Sequence, residues 1–216
     1  MAEIKFCGLT RVEDARVACD LGAAYLGVVF AGGPRLVTAE RAREVLAGCT
    51  RDARRVGVFG RVGPDEIARA VERARLHVAQ LHGDPTAEDV ASVRAATGAE
   101  IWAVVRVGTA VPAVAAELFD EADAVLVDAK VDGKLGGTGV AVDWSAVAPD
   151  LRRTRRGRAL VLAGGLRPEN VADAVATIEP DVVDVSSGVE LAPGIKDHAR
   201  MRAFAAAVSG ARQEKR

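Results

Sequence analysis

The chain has little of what marks a secreted, membrane-bound or nucleic-acid-binding protein. It has only three cysteines, an odd number without CxxC spacing, which argues against a disulfide framework or a zinc site. We therefore expect Cys7, Cys19 and Cys49 to be reduced thiols. No apolar run reaches the roughly 18 residues of a membrane span, and no signal-peptide pattern opens the chain. The net charge is -1, with acids and bases interspersed, so nucleic acid is not an expected partner. These absences predict a cytoplasmic protein.

Half of the residues are hydrophobic, and the chain contains eight short apolar runs rich in Val, Ile and Leu. The runs are, in order, IKFC, YLGVVF, RRVGVF, HVAQLHG, EIWAVVRV, ADAVLVDA, ALVLAGG and DVVDVSSG. Segments with helical spacing, such as PDEIARAVERA, follow all but the last run, which leads through a short turn to KDHARMRAFAAAV.

This repeat of strand and helix predicts the α/β class and a single-domain (β/α)8 TIM barrel over residues 1–208. The polar residues 209–216 are predicted to form a disordered C-terminal tail. An open, doubly wound sheet is the main alternative. Its dinucleotide-binding form is disfavoured because no GxGxxG follows the first run.

Cys7 ends the first run, at a predicted corner between a strand and a helix. Thr10 and Glu13 match the capping box that opens many helices, so we predict that a helix begins directly after this corner. A thiol at such a corner can act as a base, a nucleophile or a metal ligand, and the helix N-terminus would favour its anion. The alternative is a small buried hydrophobe, because free cysteines are commonly buried.

Asp128 lies near the end of the sixth run, on the same predicted level as Cys7. A carboxyl group that follows a buried strand loses solvation, which favours its protonated form and lets it deliver a proton. Capping of the following turn is the alternative role. A thiolate that removes a proton and an acid that donates one together describe an isomerase. Such an isomerase requires neither a metal nor an organic cofactor.

Small residues close the seventh and eighth runs and recur in the long sixth loop, KVDGKLGGTG. In barrels of this kind the loops after strands seven and eight commonly bind phosphate, because small residues let backbone N–H groups converge on the anion. Glycines that only form turns are the alternative. The long sixth loop is also a candidate lid. The predicted phosphate cradle comprises Gly164, Gly165, Ser186, Ser187 and Gly188, together with Gly136, Gly137 and Gly139 in the long loop.

Other polar side chains lie near the predicted strand ends. Arg35 can hold a carboxylate, because its planar guanidinium pairs with both oxygens; simple surface exposure is the alternative. His82 is more typical of a structural hydrogen-bonding group than of a base. Arg106 and Asp184 can line the pocket, although Asp184 can also orient a neighbour. Lys5 should face the same way as the thiol but one layer deeper, where a buried lysine needs a carboxylate partner.

Taken together, the motifs resemble the phosphoribosylanthranilate isomerase family of tryptophan biosynthesis. KFCGLT, the PR of GGPRLVT, VGVF, QLHG, LVDA followed by GGTG and DW, LAGGLRPENV, and DVSSGVE with GIKD occur in the order and spacing of that family. The resemblance covers nearly the whole chain. It implies a (β/α)8 barrel that converts N-(5-phosphoribosyl)anthranilate into 1-(2-carboxyphenylamino)-1-deoxyribulose 5-phosphate without a metal or an organic cofactor.

The resemblance also implies a role for each matching residue. Cys7 becomes the general base, Asp128 the general acid, and Arg35 the anchor of the anthranilate carboxylate. The phosphate would be held by the backbone of Gly137, Gly164, Gly165, Ser186, Ser187 and Gly188. The implied chemistry is an Amadori rearrangement of a small phosphorylated molecule. Whether the chain is a monomer or a homodimer stays open.

Three rival functions remain at this point. The sister isomerase of histidine synthesis is similar, but that family has an aspartate in place of Cys7 and a second phosphate site in its first half. A Schiff-base aldolase would use Lys130, just beyond Asp128. A non-catalytic phosphate-binding barrel would keep the glycine-rich corners and have no need of the thiol and carboxyl together.

Overall fold

The computed structural model describes residues 2–129 and 144–211 and has a closed parallel barrel at its centre. The strands are joined in chain order, and the first pairs with the last to close the barrel. They are β1 (Glu3–Phe6), β2 (Tyr25–Val29), β3 (Arg54–Phe59), β4 (Val78–Leu81), β5 (Glu100–Val107), β6 (Ala124–Ala129), β7 (Ala159–Ala163) and β8 (Val182–Val185). The predicted TIM barrel is confirmed, and the open sheet is wrong.

Helices alternate with the strands and cover the outside of the barrel. They are α1 (Val12–Asp20), α2 (Ala39–Leu46), α3 (Pro64–Ala74), α4 (Ala87–Thr97), α5 (Val114–Glu121), α6 (Trp144–Arg155), α7 (Val171–Ile178) and α8 (His198–Gly210). In α3, Ile67, Val71 and Ala74 recur at helical spacing and are buried, while charged residues occupy the other face. Burial of a side chain such as Ile67 contributes about 1.5–3 kcal/mol, which holds each helix against the strands.

The barrel interior is apolar in its lower part and polar at its mouth. Alternate residues of each strand point inward. The apolar interior cluster is Val56, Val78, Trp102, Val104, Ala124, Leu126, Val161, Ala163 and Val182. Tyr25 and Trp102, with ring centroids 4.8 Å apart, form the barrel floor near the end at which the strands begin. The same alternation points four polar side chains inward near the opposite end of the barrel, where the strands end. Each lies two residues after an apolar, inward-facing residue of its own strand: Gln80, Arg106, Asp128 and Asp184.

The corner after β1 differs from the predicted one. Helix α1 is preceded by Arg11, whose side chain makes no capping bond, so the predicted capping box of Thr10 and Glu13 is wrong. The Thr10 hydroxyl donates instead to the carbonyl oxygen of Gly194 at 2.5 Å. The Thr10 hydroxyl, which was expected to cap α1, is therefore bonded to a segment that is distant in sequence.

The connection between β8 and α8 is more elaborate than the predicted short turn. A short 3-10 helix (Ser187–Val189) is followed by an antiparallel hairpin of β9 (Glu190–Ala192) and β10 (Ile195–Lys196). Helix α8 then continues to Gly210, two residues into the predicted tail, with the Ser209 hydroxyl donating to Ala205 O at 2.9 Å. Residues 212–216 lie outside the described residues. Within 2–129 and 144–211, no helix is long and apolar enough to cross a membrane.

Cys19 and Cys49 form a disulfide, so the expectation that all three cysteines are reduced is wrong. Cys19 lies on α1, and Cys49 follows α2. These consecutive outer helices bring the two Cα atoms within 5.3 Å, a separation typical of disulfides. Cys7 stays a free thiol.

Candidate active site

Cys7 lies directly after β1, buried at the barrel mouth. Its backbone N–H donates to Val185 O at 2.9 Å, which ties the corner to β8. Gly27 on β2 makes room for the thiol: a Cβ there would lie 3.0 Å from Cys7 Sγ and 3.3 Å from Lys5 Cε. The sulfur and the lysine side chain therefore pack against the same glycine. A side chain at position 27 would displace the thiol.

Lys5 is fully buried below the thiol and has the carboxylate partner that its position requires. Its Nζ donates to Asp184 Oδ2 at 2.8 Å, and the two residues are register partners across β1 and β8. Asp184 Oδ1 is buried and has no hydrogen-bond partner among the described residues. The pair therefore leaves one acceptor available at the mouth.

Burial raises the pKa of the Cys7 thiol above its ordinary value, although the charges of Lys5 and Lys196 oppose this shift. The direction is opposite to the one expected from a helix N-terminus alone, because α1 begins only at Val12 and the thiol is desolvated. For Lys5, burial acts to lower the pKa, but the charges of Asp184 and Cys7 and the hydrogen bonds to them together outweigh it, and the pKa is raised. The lysine therefore stays a cation beneath the thiol.

Arg35 lies next to this corner. A Cβ at Gly8, where φ is +71°, would lie 2.6 Å from Arg35 Cδ, so the arginine stem crosses the backbone beside Cys7. Its guanidinium binds the carboxylate of Glu190, with Nε donating to Oε1 at 2.9 Å and Nη2 to Oε2 at 2.6 Å. Lys196 Nζ donates to the same carboxylate at 2.8 Å. Arg35 is therefore held within the site and is not a freely exposed surface residue.

Asp128 occupies the other side of the mouth, on β6, with 21% of its side chain exposed. Its Oδ2 lies 3.6 Å from His82 Nε2 and 3.9 Å from Arg106 Nη1. The main partner of Arg106 is Asp84, with Nε to Oδ1 at 2.8 Å. The predicted pocket residues His82 and Arg106 therefore do meet Asp128, through contacts longer than a direct hydrogen bond.

His82 is neutral at physiological pH. Burial, followed by the positive charges of Arg106 and Lys5, lowers its pKa to about 4. The side-chain amide of Gln80 lies 3.3 Å from His82 Nδ1. A neutral ring at this position orients its neighbours and does not form an ion pair with Asp128.

The loops after β7 and β8 meet, as a shared phosphate site requires. A Cβ at Gly188 would lie 1.9 Å from the carbonyl oxygen of Leu166, so only glycine fits where the two loops touch. Gly164 and Gly165 have φ values of +90° and +66°, which favour glycine. Within the described part of the chain, the N–H groups of Gly165, Ser187 and Gly188 have no backbone acceptor.

Gly137 and Lys130 lie outside the described residues, as does the predicted lid around them. Sequence reasoning assigned no role to Glu190, Lys196 or Gln80. Glu190 and Lys196 do occur in the DVSSGVE and GIKD motifs, which was the available signal. Across 2–129 and 144–211, no group of three or more His, Cys, Asp or Glu residues is arranged to hold a metal ion.

Comparison with known proteins identifies the family. A family model for N-(5'phosphoribosyl)anthranilate (PRA) isomerase matches residues 4–207. The chain belongs to this family. An N-(5'-phosphoribosyl)anthranilate isomerase from Pseudomonas fluorescens (strain Pf0-1) is 40% identical over 213 residues, covering 94% of this chain and 97% of the relative. The predicted resemblance to PRA isomerases is confirmed.

Solved PRA isomerases share the fold. The crystal structure of the enzyme from Thermotoga maritima matches with a TM-score of 0.86 and 33% identity, covering 97% of this chain and 100% of the other. A PRA isomerase in complex with reduced 1-(o-carboxyphenylamino)-1-deoxyribulose 5-phosphate matches with a TM-score of 0.82 and 32% identity over 97% of this chain and 100% of that one. The chain is an isomerase of tryptophan biosynthesis that acts on PRA.

Proposed function

We propose that Cys7 and Asp128 perform the Amadori rearrangement of PRA as general base and general acid. One observation carries the assignment: a buried free thiol shares the barrel mouth with Asp128, and Arg35 crosses the backbone directly beside the thiol. A phosphate-binding barrel without catalysis would need no such combination.

The first step is ring opening. Asp128 donates a proton to the furanose ring oxygen, the bond from that oxygen to C1 breaks, and the anthranilate nitrogen supplies the electron pair that forms an iminium. His82 and Arg106, the neighbours of Asp128, stabilise the carboxylate that remains. Because His82 is neutral, it does so as a dipole and does not supply a competing proton.

The second step is proton abstraction at C2. The Cys7 thiolate removes this proton, and the electrons of the C–H bond flow to the iminium to give an enolamine, which tautomerises to the ketone. Burial favours the neutral thiol, so the thiolate is scarce at neutral pH but strongly basic when formed. Lys5, directly below the thiol, stabilises the anion during the reaction.

Substrate binding is divided among three groups. The Arg35 guanidinium binds the anthranilate carboxylate, and the backbone around Gly164, Gly165, Ser186, Ser187 and Gly188 binds the phosphate. The free acceptor Asp184 Oδ1 binds a hydroxyl group of the ribose. Gly137 is retained in the proposal from the sequence alone.

The test sets Asp128 against Arg35. Asp128→Asn keeps the shape and removes the transferable proton, so kcat should fall by about 10²- to 10⁴-fold while the reduced product analogue still binds. Arg35→Ala should weaken binding of that analogue by about 1.5–3 kcal/mol, as expected for a lost charged hydrogen bond. Activity is followed by the loss of anthranilate fluorescence with PRA generated in situ, and binding by calorimetry.

The control ligand is a phenylamino analogue without the carboxylate. It should bind wild type and Arg35→Ala equally well. Equal weakening of both analogues would assign Arg35 to the phosphate or the fold, and unchanged kcat in Asp128→Asn would remove Asp128 as the acid. A cytoplasmic location and the choice between monomer and homodimer remain predictions, the latter testable by sedimentation.

A further inference from the structure

Two cations share one buried carboxylate beside the thiol. Glu190, at the start of β9, accepts from both Nε and Nη2 of Arg35 and from Nζ of Lys196. We call these three residues the β9 clamp. Its members come from the loop after β2 and from both strands of the hairpin after β8. The clamp therefore joins the second and eighth loops at the mouth.

Glu190 is fixed more firmly than its partner arginine. Only 4% of its side chain is exposed, and its register partner across the hairpin is Lys196. The lysine, itself fully buried, also donates to Ser186 O at 3.1 Å, and Gly194 N donates to Glu190 Oε1 at 3.3 Å. Burial alone would raise the pKa of Glu190, but hydrogen bonds and charge from Arg35 and Lys196 lower it. The carboxylate is therefore an ionised, immobile support.

The contact to Glu190 uses one edge of the guanidinium and leaves another available. A guanidinium has five N–H donors in a planar fork. Glu190 takes the edge formed by Nε and Nη2. Among residues 2–129 and 144–211, Nη1 of Arg35 has no hydrogen-bond partner. The exposed fraction of the Arg35 side chain is 26%. The edge formed by Nη1 and Nη2 can thus receive a second carboxylate in the bidentate geometry.

The charges of the clamp point to the same ligand. Arg35 and Lys196 carry two positive charges, and Glu190 supplies one negative charge. A single carboxylate on the substrate completes the balance, whereas a neutral group would leave a partly buried positive charge uncompensated. The clamp therefore matches a carboxylate in both geometry and charge.

We propose that Glu190 is a positioning residue for substrate selection: it holds Arg35 by one edge so that the opposite edge faces the carboxylate of the anthranilate ring. This inference rests on the role of Arg35 in the proposed function. Lys196 acts one step further back, since it fixes Glu190. Preorganisation of this kind increases affinity because the arginine loses less side-chain freedom on binding.

The test measures selectivity, which a purely structural role would leave unchanged. In Glu190→Gln, calorimetry should show that the preference for the carboxylated over the phenylamino analogue falls by about 3- to 10-fold, the size expected for loss of one preordered side chain. KM should rise more than kcat falls, because the reacting groups are untouched. An unchanged or increased preference would overturn the proposal.

A matched control lies at the opposite end of the barrel. Asp123 also binds an arginine, with Arg94 Nη1 to Oδ2 at 2.7 Å, and it accepts from Ile101 N at 2.7 Å. Asp123→Asn should lower stability without altering the preference between the analogues. If Glu190→Gln is too unstable to purify, the double variant Glu190→Gln with Lys196→Met removes both charges of the buried pair and must show the same loss of preference.

A double-mutant cycle separates this inference from the proposed function. In the Arg35→Ala background, Glu190→Gln should have no further effect on the preference. If Arg35→Ala alone retains the full preference, the carboxylate role of Arg35 and the positioning role of Glu190 both fail. If Arg35→Ala abolishes the preference while Glu190→Gln keeps it, only the positioning role fails.

Discussion

The two sides of the barrel mouth are built differently. On the side of β1 and β8, Lys5 and Asp184 form a buried contact of 2.8 Å, and Arg35 and Glu190 one of 2.6 Å. On the side of β4 to β6, Asp128 Oδ2 lies 3.6 Å from His82 Nε2 and 3.9 Å from Arg106 Nη1, and the exposed fractions of the Asp128 and His82 side chains are 21% and 30%. The base therefore lies in a desolvated ionic setting, and the acid lies in a more exposed one.

This difference fits the two proton transfers assigned to the site. Removal of a proton from carbon requires a strong base at a fixed distance, and burial supplies both strength and placement. Protonation of a ring oxygen is less demanding, because oxygen already carries lone pairs. The contrast predicts that removal of a buried charge on the β1 and β8 side costs more stability than removal of an exposed charge on the other side.

The largest effect is expected at Cys7. Cys7→Ala should lower kcat by about 10²- to 10⁴-fold, the range typical of general acid–base groups, with little change in the thermal midpoint. The wild-type rate should rise with pH and continue to rise above the ordinary thiol range, because burial raises the pKa of Cys7. A variant that kept near-wild-type kcat would remove the thiol from the mechanism.

The next effect is on stability. Lys5→Met leaves the Asp184 carboxylate buried without its cation, and the free energy of unfolding should fall by about 3–5 kcal/mol. Asp84→Asn, which weakens the exposed contact to Arg106 on the other side, should cost less than about 1 kcal/mol. Urea unfolding at pH 7 measures both variants. Equal losses of unfolding free energy in the two variants would show that the charges on the two sides contribute equally to stability.

Reduction of the Cys19–Cys49 disulfide should have an intermediate effect. The disulfide closes a loop of 30 residues that contains β2 and Arg35. Its loss should lower the free energy of unfolding by about 2–4 kcal/mol, with kcat unchanged because both sulfurs lie outside the barrel. The measurement is thermal unfolding of wild type with and without reductant. Cys19→Ser, which cannot form the bond, should show no response to reductant.

The smallest effect concerns His82 on the more exposed side. Its folded pKa of about 4 lies below its ordinary value of 6.5, so the unfolded chain binds the proton more tightly. The stability from a neutral His82 is complete above pH 6.5 and is lost as the pH falls toward 4. After screening by solvent, we expect about 1–2 kcal/mol. His82→Asn should flatten the dependence of the unfolding free energy on pH between pH 4 and 6.5. An unchanged slope would contradict this assignment to His82.

Local patterns in the sequence predicted the barrel and most of the mouth. RRVGVF and EIWAVVRV match β3 and β5 residue for residue, because strands buried on both faces are continuous apolar runs. Cys7 and Asp128 could be singled out from their places at strand ends, and Arg35 from its place in the loop after β2. The partner of Lys5 was expected as a carboxylate, and it proved to be Asp184 because β1 closes the barrel against β8.

Contacts between segments distant in sequence could not be predicted in the same way. The Thr10 hydroxyl finds Gly194, and Cys19 finds Cys49, through packing that no local pattern records. Glu190 and Lys196 lie in a hairpin whose strands have three and two residues, too short to show a period. Their pairing with Arg35 depends on the folded position of two loops.

The tilted rings of Tyr25 and Trp102 and the apolar cluster above them fill the barrel at the end where the strands begin, so in the described part of the chain the active site opens at the other end. Because the floor is closed, substrate enters and product leaves through the same mouth, past the groups that bind carboxylate and phosphate. A product molecule that lingers there excludes the next substrate. Turnover at high product concentration is therefore limited by the rate of product release, and the product should act as a competitive inhibitor.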